Sequence, residues 1–216
     1  MKIELTQIQE LRNLTGCGIM DCKRALEQVG GDFDKARAAL SEKAEKTAAK
    51  KAAREAHSGV IEAYIHGNGR VGVLLEVHCE TDFLSQSPEF RRLVRDLALQ
   101  IASEAPAYTS AEEVPAEIIE GIAVKAAEEA RALGKPEKVI EQFKTGRVKK
   151  HLRQACLLEQ VFIKNQDITI GGLVNEFIAK SGENIKIKNF VRYELPKSDL
   201  CGDLGAARLA AMQAGW

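Results

Sequence analysis

The stretch Arg70-Val71-Gly72-Val73-Leu74-Leu75-Glu76-Val77, followed by Glu80-Thr81-Asp82-Phe83-Leu84 and then Ser87-Pro88-Glu89, decides the architecture. Val71, Val73, Leu75 and Val77 recur every second residue, the period of a strand with one buried face. Ser87-Pro88-Glu89 reads as a helix start: a hydroxyl N-cap, a proline at the first helical position and an acid near the positive end of the helix dipole. Phe83 falls in the connection between strand and helix. Connections run over the surface and carry much of a protein's binding function. A large aromatic there is either folded back into its own core or presented to a partner, and position alone leaves both readings open.

Working outward, Val60 to His66 and Arg70 to Val77 flank Gly67-Asn68-Gly69, a glycine-containing hairpin turn. After Ser87, Phe90, Leu93, Val94, Leu97 and Ile101 share one helical face. Ser110 and Glu113 form a capping box for a helix continuing to about Leu133, with further helix expected over 136–143 and 147–158. A strand at Val161-Phe162-Ile163 and a helix around Leu173 to Ala179 follow. In the last strand Ile185, Ile187, Asn189, Val191 and Tyr193 alternate with Lys186, Lys188, Phe190 and Arg192. Strands mixed with helices around a hairpin predict an α+β core, an antiparallel sheet with packed helices, over residues 58–196.

Upstream, residues 6–40 read as three short helices. Thr6 with Gln9 makes a capping box, Ile8, Leu11 and Leu14 a first stripe, and Ile19, Cys22, Leu26 and Val29 a second after the Thr15-Gly16-Cys17-Gly18 break. Gly30-Gly31 stops the second helix and Asp32 caps the third, with Phe33, Ala36 and Leu40 along it. Residues 1–40 are thus a small bundle of the size of a recognition module. Ser41 to Ala56 is alanine, lysine and glutamate with no large apolar residue, so 41–57 reads as a solvated helical linker. Residues 197–216 form a tail in which Leu204, Leu209 and Met212 could share a helical face.

The 216 residues are 45% hydrophobic and 29% charged, enough for a sizeable core. Lys+Arg and Asp+Glu are both 31, so the formal charge is zero and there is no general attraction to nucleic acid or to anionic membranes. Without a signal-length apolar segment or a ~20-residue apolar run, a cytoplasmic location is expected. Five cysteines without regular spacing fit a reducing compartment.

Most motifs that could carry chemistry fail on context. Gly67-Asn68-Gly69-Arg70-Val71-Gly72 matches G-x-G-x-x-G, but a strand follows it where the dinucleotide fingerprint needs a helix N-terminus. Cys17 and Cys22 lack knuckle spacing, and adjacent His78 and Cys79 on a strand point to opposite faces. No metal and no cofactor are expected, and no nucleophile signature accompanies the histidines at 57, 66, 78 and 151. The run Arg147 to Arg153 reads as a solvated helix face with Val148, Leu152 and Ala155 inward. What is left is binding through exposed hydrophobes. Met20 lies off the second-helix stripe, and a flexible thioether suits contact with a partner, although it could equally cap the bundle. An adaptor for ubiquitin-like or helical ligands and a thiol enzyme using Cys79 or Cys17 are the rival classes.

Leu11-Arg12-Asn13-Leu14-Thr15-Gly16-Cys17-Gly18-Ile19-Met20-Asp21-Cys22-Lys23-Arg24-Ala25-Leu26 resembles the N-terminal signature of translation elongation factor Ts, and Glu76-Val77-His78-Cys79-Glu80-Thr81-Asp82-Phe83 the family's second signature. Gly134-Lys135-Pro136, Gly146-Arg147-Val148-Lys149-Lys150 and Gly182-Glu183-Asn184-Ile185 resemble further family blocks in order, so the likeness runs from about residue 5 to Leu195. The resemblance implies a guanine-nucleotide exchange factor for elongation factor Tu, not an enzyme. It implies a ubiquitin-associated-type three-helix module that docks on the partner, here through Arg12, Met20, Asp21 and Lys23. It implies that Thr81, Asp82, Phe83 and Leu84 enter the partner's GTPase domain and displace its magnesium ion, with His66 as a second contact. One core subdomain marks a short form, and short members are associated with homodimers, for which an unpaired edge of the final strand would serve. Gln100 stands where many members have histidine, and Leu84-Ser85-Gln86 replaces the usual continuation after the phenylalanine.

Overall fold

The computed structural model describes residues 3–67 and 69–196, so the expected apolar face of Leu204, Leu209 and Met212 lies outside them. Helix α1 (Leu5–Thr15), α2 (Ile19–Gln28) and the first half of α3 (Phe33–Lys51) close a small bundle around Ile8, Leu11, Cys22, Ala25, Leu26, Ala36 and Leu40. The second helix stops as expected: Gly31 N–H reaches back to Leu26 O at 2.8 Å, with positive φ at Gly30 (69°) and Gly31 (89°). Asp32 then caps α3 by accepting from Lys35 N–H at 3.1 Å. Three local expectations shift. Helix α1 begins at Leu5, with the Gln7 side chain accepting from Glu4 N–H at 3.4 Å, so Thr6 lies inside the first turn and is not its cap. Leu14 is 53% exposed and Thr15 takes its inward place, its hydroxyl donating to Leu11 O at 2.7 Å. Ile19 faces outward as well, at 51% exposed.

Residues 41–51 are not a solvated linker. They continue α3 without a break, and Ala44 and Ala48 are buried where α3 packs along α8 (Ile170–Ser181). Methyl-sized side chains allow two helices to approach closely, a form of burial that a search for large apolar residues does not register. Only Ala52 to His57 connects this helix to the sheet.

The sheet has the order β1-β2-β5, antiparallel throughout, from β1 (Ser58–His66), β2 (Val71–Cys79) and β5 (Ile185–Glu194). Alternation in β2 is realised as read: Val73, Leu75, Val77 and Cys79 face inward, against Phe90, Leu93, Val94, Leu97 and Ile101 of α5 (Pro88–Glu104). Ser87 Oγ accepts from Phe90 N–H at 3.2 Å to cap that helix. Gly59 is required where β1 pairs with the end of β2, because a Cβ would stand 2.3 Å from the Val77 carbonyl oxygen. The final strand does not keep one alternation. A bulge opposite Glu76 and Val77 leaves Lys188 unpaired, so Ile185 and Ile187 face the core before it and Phe190 after it. Val191 and Tyr193 are thereby turned to the outer face.

Gln100 is fully buried and is a structural tie: its Nε2 donates to Gln160 Oε1 and Val161 O (both 3.1 Å), and its Oε1 accepts from Ile163 N–H (3.0 Å). It fastens α5 to the hairpin of β3 (Val161–Phe162) and β4 (Asn165–Thr169), the latter a strand the apolar pattern does not reveal. Helices α6 (Ala116–Ala132) and α7 (Glu137–Ala155) form a hairpin with its own cluster of Ala127, Ala130, Ile140 and Phe143. The two helical pieces expected over 136–158 are this single α7. The Ser110 capping box is absent; the Glu113 carboxylate accepts from Thr109 N–H at 2.8 Å and α6 starts only after Pro115.

Candidate functional site

The connection after β2 is a single helical turn, α4 (Asp82–Ser85), where the sequence suggests a plain loop. Thr81 is its N-cap, with Oγ1 accepting from Leu84 N–H at 3.2 Å. Ser85 Oγ donates to Asp82 O at 2.8 Å, and the Cys79 thiol donates to Thr81 O at 3.2 Å, which together close the turn. The consequence is a sharp division between neighbours. Leu84 is half-buried and packs on the core, while Phe83 is 89% exposed. A helical turn sends adjacent side chains about 100° apart, so seating Leu84 obliges Phe83 to point away. Of the two readings open to the sequence, the structure realises the outward one. Asp82 stands exposed beside it in the first turn.

The turn is also bonded to a segment distant in sequence. Glu183, in the connection from α8 to β5, accepts from Thr81 N–H (2.9 Å, Oε2) and Thr81 Oγ1–H (2.7 Å, Oε1) across 102 residues. Asn184 N–H returns a bond to Glu80 Oε1 at 2.6 Å. Buried Asn184 also donates to Arg54 O (2.8 Å) and Ala52 O (3.4 Å), tying the same junction to the end of α3. Glu183 had no sequence signal of its own; it stood only inside a short block resembling the family.

The second group lies on the N-terminal bundle. Met20 is 61% exposed beside exposed Ile19, at the rim of a groove whose opposite wall includes Lys43 and Thr47 of α3 and Lys180 of α8. Arg12 and Lys23 are exposed, Lys23 paired loosely with Glu27 at 3.7 Å. Asp21 is committed within the chain: its Oδ1 takes Lys43 Nζ at 2.8 Å and Arg24 Nη2 at 3.0 Å. The hydrogen bond from Lys43 is the main reason its carboxyl lies below the ordinary aspartate range. Lys43 was not singled out by sequence, since its pairing crosses between two helices.

His66 is not brought to this site. It ends β1 opposite Val71, whereas Thr81 follows Cys79, which pairs with Ser58 at the other end of the same two strands. Eight steps of β2 at ~3.4 Å put the two about 27 Å apart. His66 Nδ1 meets the Tyr64 hydroxyl at 3.0 Å instead.

Burial raises the thiols of Cys17, Cys22, Cys79 and Cys156, the opposite of what a nucleophilic thiolate needs. Among the described residues no group of three His, Cys, Asp or Glu is placed to hold a metal ion, and no helix is long and apolar enough to cross a membrane. An exposed aromatic on a braced turn, joined through α3 to a helical module with its own exposed methionine, is the equipment of a protein that acts by docking on another macromolecule. The comparisons give that class a family. Residues 9–197 match the family model described as Elongation factor TS. The chain is 52% identical over 188 residues to elongation factor Ts of Carboxydothermus hydrogenoformans, covering 87% of each chain. It is 48% identical over 193 residues to that of Heliobacterium modesticaldum (89% of this chain, 90% of that one) and 49% over 195 residues to that of Rubrobacter xylanophilus (90% and 100%). The chain belongs to the elongation factor Ts family of translation factors.

Proposed function

We propose that this protein is the guanine-nucleotide exchange factor for elongation factor Tu, promoting GDP release by inserting the Thr81–Leu84 turn. The observation that carries the reading is Phe83 held 89% exposed at the head of a capped helical turn. An apolar ring kept in water has a cost that burial in a partner recovers, ~1.5–3 kcal/mol for a Phe. GDP on such a GTPase is held by phosphate contacts and a magnesium ion. A factor that binds best to the nucleotide-free form must weaken nucleotide binding by the same factor by which nucleotide weakens its own. In this reading Phe83 wedges beside the nucleotide site, Asp82 competes electrostatically near the ion, and Leu84 anchors the turn from behind. Arg12, Met20 and Lys23 dock the module, with Asp21 holding its shape through Lys43.

The protein works as a homodimer in this reading, and the outer sheet face suits a second copy better than the strand edge does. Ile61, Ile65, Leu74, Val191 and Tyr193 are all exposed there, 41–72%, in neighbouring registers of three strands. A face of this kind is what two sheets bury against each other. His66, at the far end of its own sheet from Phe83, then contributes from the second copy. Leu74→Glu should convert the dimer to monomer in light scattering at micromolar concentration; a persisting dimer overturns this face as the seat.

The exchange reading is tested by release of a fluorescent GDP from elongation factor Tu at increasing factor concentration. Accelerated release that saturates is expected. Release no faster than the spontaneous rate, with a folded factor in excess, overturns the function.

A further inference from the structure

We propose that Glu183 is the positioning residue for Phe83: its carboxylate, 102 residues away, sets the direction in which the ring is presented. This rests on the wedge reading for its consequence in exchange, but its geometry stands apart from it. Phe83 is so exposed that packing cannot orient it, so its direction is inherited from the backbone of 81–85. That backbone starts at Thr81, and both Thr81 donors go to the two oxygens of one carboxylate, at 2.9 and 2.7 Å. A hydroxyl has one proton and two lone pairs. With the proton committed to Glu183, a lone pair is left facing Leu84 N–H, 3.2 Å away, which is the cap of the turn carrying Phe83. Glu183 therefore acts on the cap as well as on the chain before it.

The brace is reciprocal. Glu80 Oε1 accepts from Asn184 N–H while Glu183 accepts from Thr81, so residues 80–81 and 183–184 grip each other through two carboxylates. Glu183 is itself placed by Gly182, whose φ of 81° ends α8, and by the Ser181 hydroxyl, which accepts from Glu183 N–H at 3.3 Å. Asn184 extends the junction to the end of α3 through Ala52 and Arg54. Thus the ring is referenced to the helix that bears the N-terminal module. Thr81 is exposed, and bonds at such a surface contribute little to global stability. Their effect is directional.

The test uses the full chain carrying Glu183→Ala or Glu183→Gln. In GDP release from elongation factor Tu, Glu183→Ala should lower the saturating rate roughly fivefold, the order of a lost surface charge-assisted pair, and leave the half-saturating concentration within about twofold. Glu183→Gln keeps one carbonyl oxygen to accept from Thr81 and should recover much of that loss. In the Phe83→Ala background, Glu183→Ala should cost nothing further, because its effect runs through the ring. A second readout needs no partner. With Trp216, the one native tryptophan, replaced by Phe and Phe83→Trp introduced, Glu183→Ala should increase the fast component of the indole's anisotropy decay, and Glu183→Gln less so. Additive losses in the double variant, a large fall in melting temperature, or an unchanged anisotropy decay each overturn the proposal. If Phe83→Ala alone leaves exchange intact, the wedge reading falls, and the anisotropy measurement still decides whether Glu183 orients position 83.

Discussion

The turn that precedes Met20 and the turn that carries Phe83 each present an exposed hydrophobe, and they are built in opposite ways. The Thr15–Gly18 turn that precedes Met20 is set by its neighbours. Gly16, at φ 66°, donates its N–H to Arg12 O, and the Thr15 hydroxyl reaches Leu11, all within one helix end. The Thr81–Leu84 turn is capped locally but braced by Glu183 and Asn184 from the far end of the chain. The bonds that set the first span no more than four residues. The second is held by bonds that form only after the core has closed. Under the proposed function the first turn serves docking, which tolerates some play, and the second serves as a wedge, which must arrive at one place; a long-range brace removes play of that kind.

Three substitutions test this contrast, in decreasing size of effect. Phe83→Ala should lower the saturating rate of GDP release by about ten- to a hundredfold, from ~1.5–3 kcal/mol of lost burial, with little change in melting temperature because the ring is exposed. An unchanged rate in a folded variant breaks the assignment of the wedge. Met20→Asp should instead raise the half-saturating factor concentration about tenfold while the saturating rate holds; a fall in that rate would mean that the two turns are not separable.

The smallest effect concerns the seam between the regions. Glu176 on α8 lies in a groove with Arg37, Asp34, Glu42 and Glu45 of α3 and Asp167 of β4, and burial raises its carboxyl to about 7, against the pull of Arg37. An acid raised in the folded state keeps its proton where the unfolded chain has lost it. Stability is therefore present below the ordinary glutamate range, near 4.5, and declines as pH rises to about 7. Discounted for partial exposure, Glu176→Gln should stabilise at pH 8 by ~1 kcal/mol, or about 2–4 °C in melting temperature, and change little at pH 4. An equal effect at both pH values would remove Glu176 as the titrating group.

Local chemistry made much of this legible. The β2 alternation, the Ser87-Pro88 start of α5, the Asp32 cap and the Gly30-Gly31 stop all follow from residues within four or five positions of one another. Three of the departures share one cause. Leu14 for Thr15, a solvated linker for a packed α3, and an unbroken alternation in β5 each required knowing which element lies opposite. Gln100 could be noticed only as a departure; its three bonds to the β3 region explain it.

For the site, the sequence by itself determined that an aromatic stands between a strand and a helix, and that the chain resembles a family that acts on a partner. It did so because periodicity, capping and turn chemistry are short-range. The tertiary structure decided that Phe83 points outward while Leu84 points in, that His66 lies at the opposite end of the sheet, and that Glu183 holds the turn. Those facts depend on which residues distant in the chain are brought within hydrogen-bonding reach, and only the closed core brings them there.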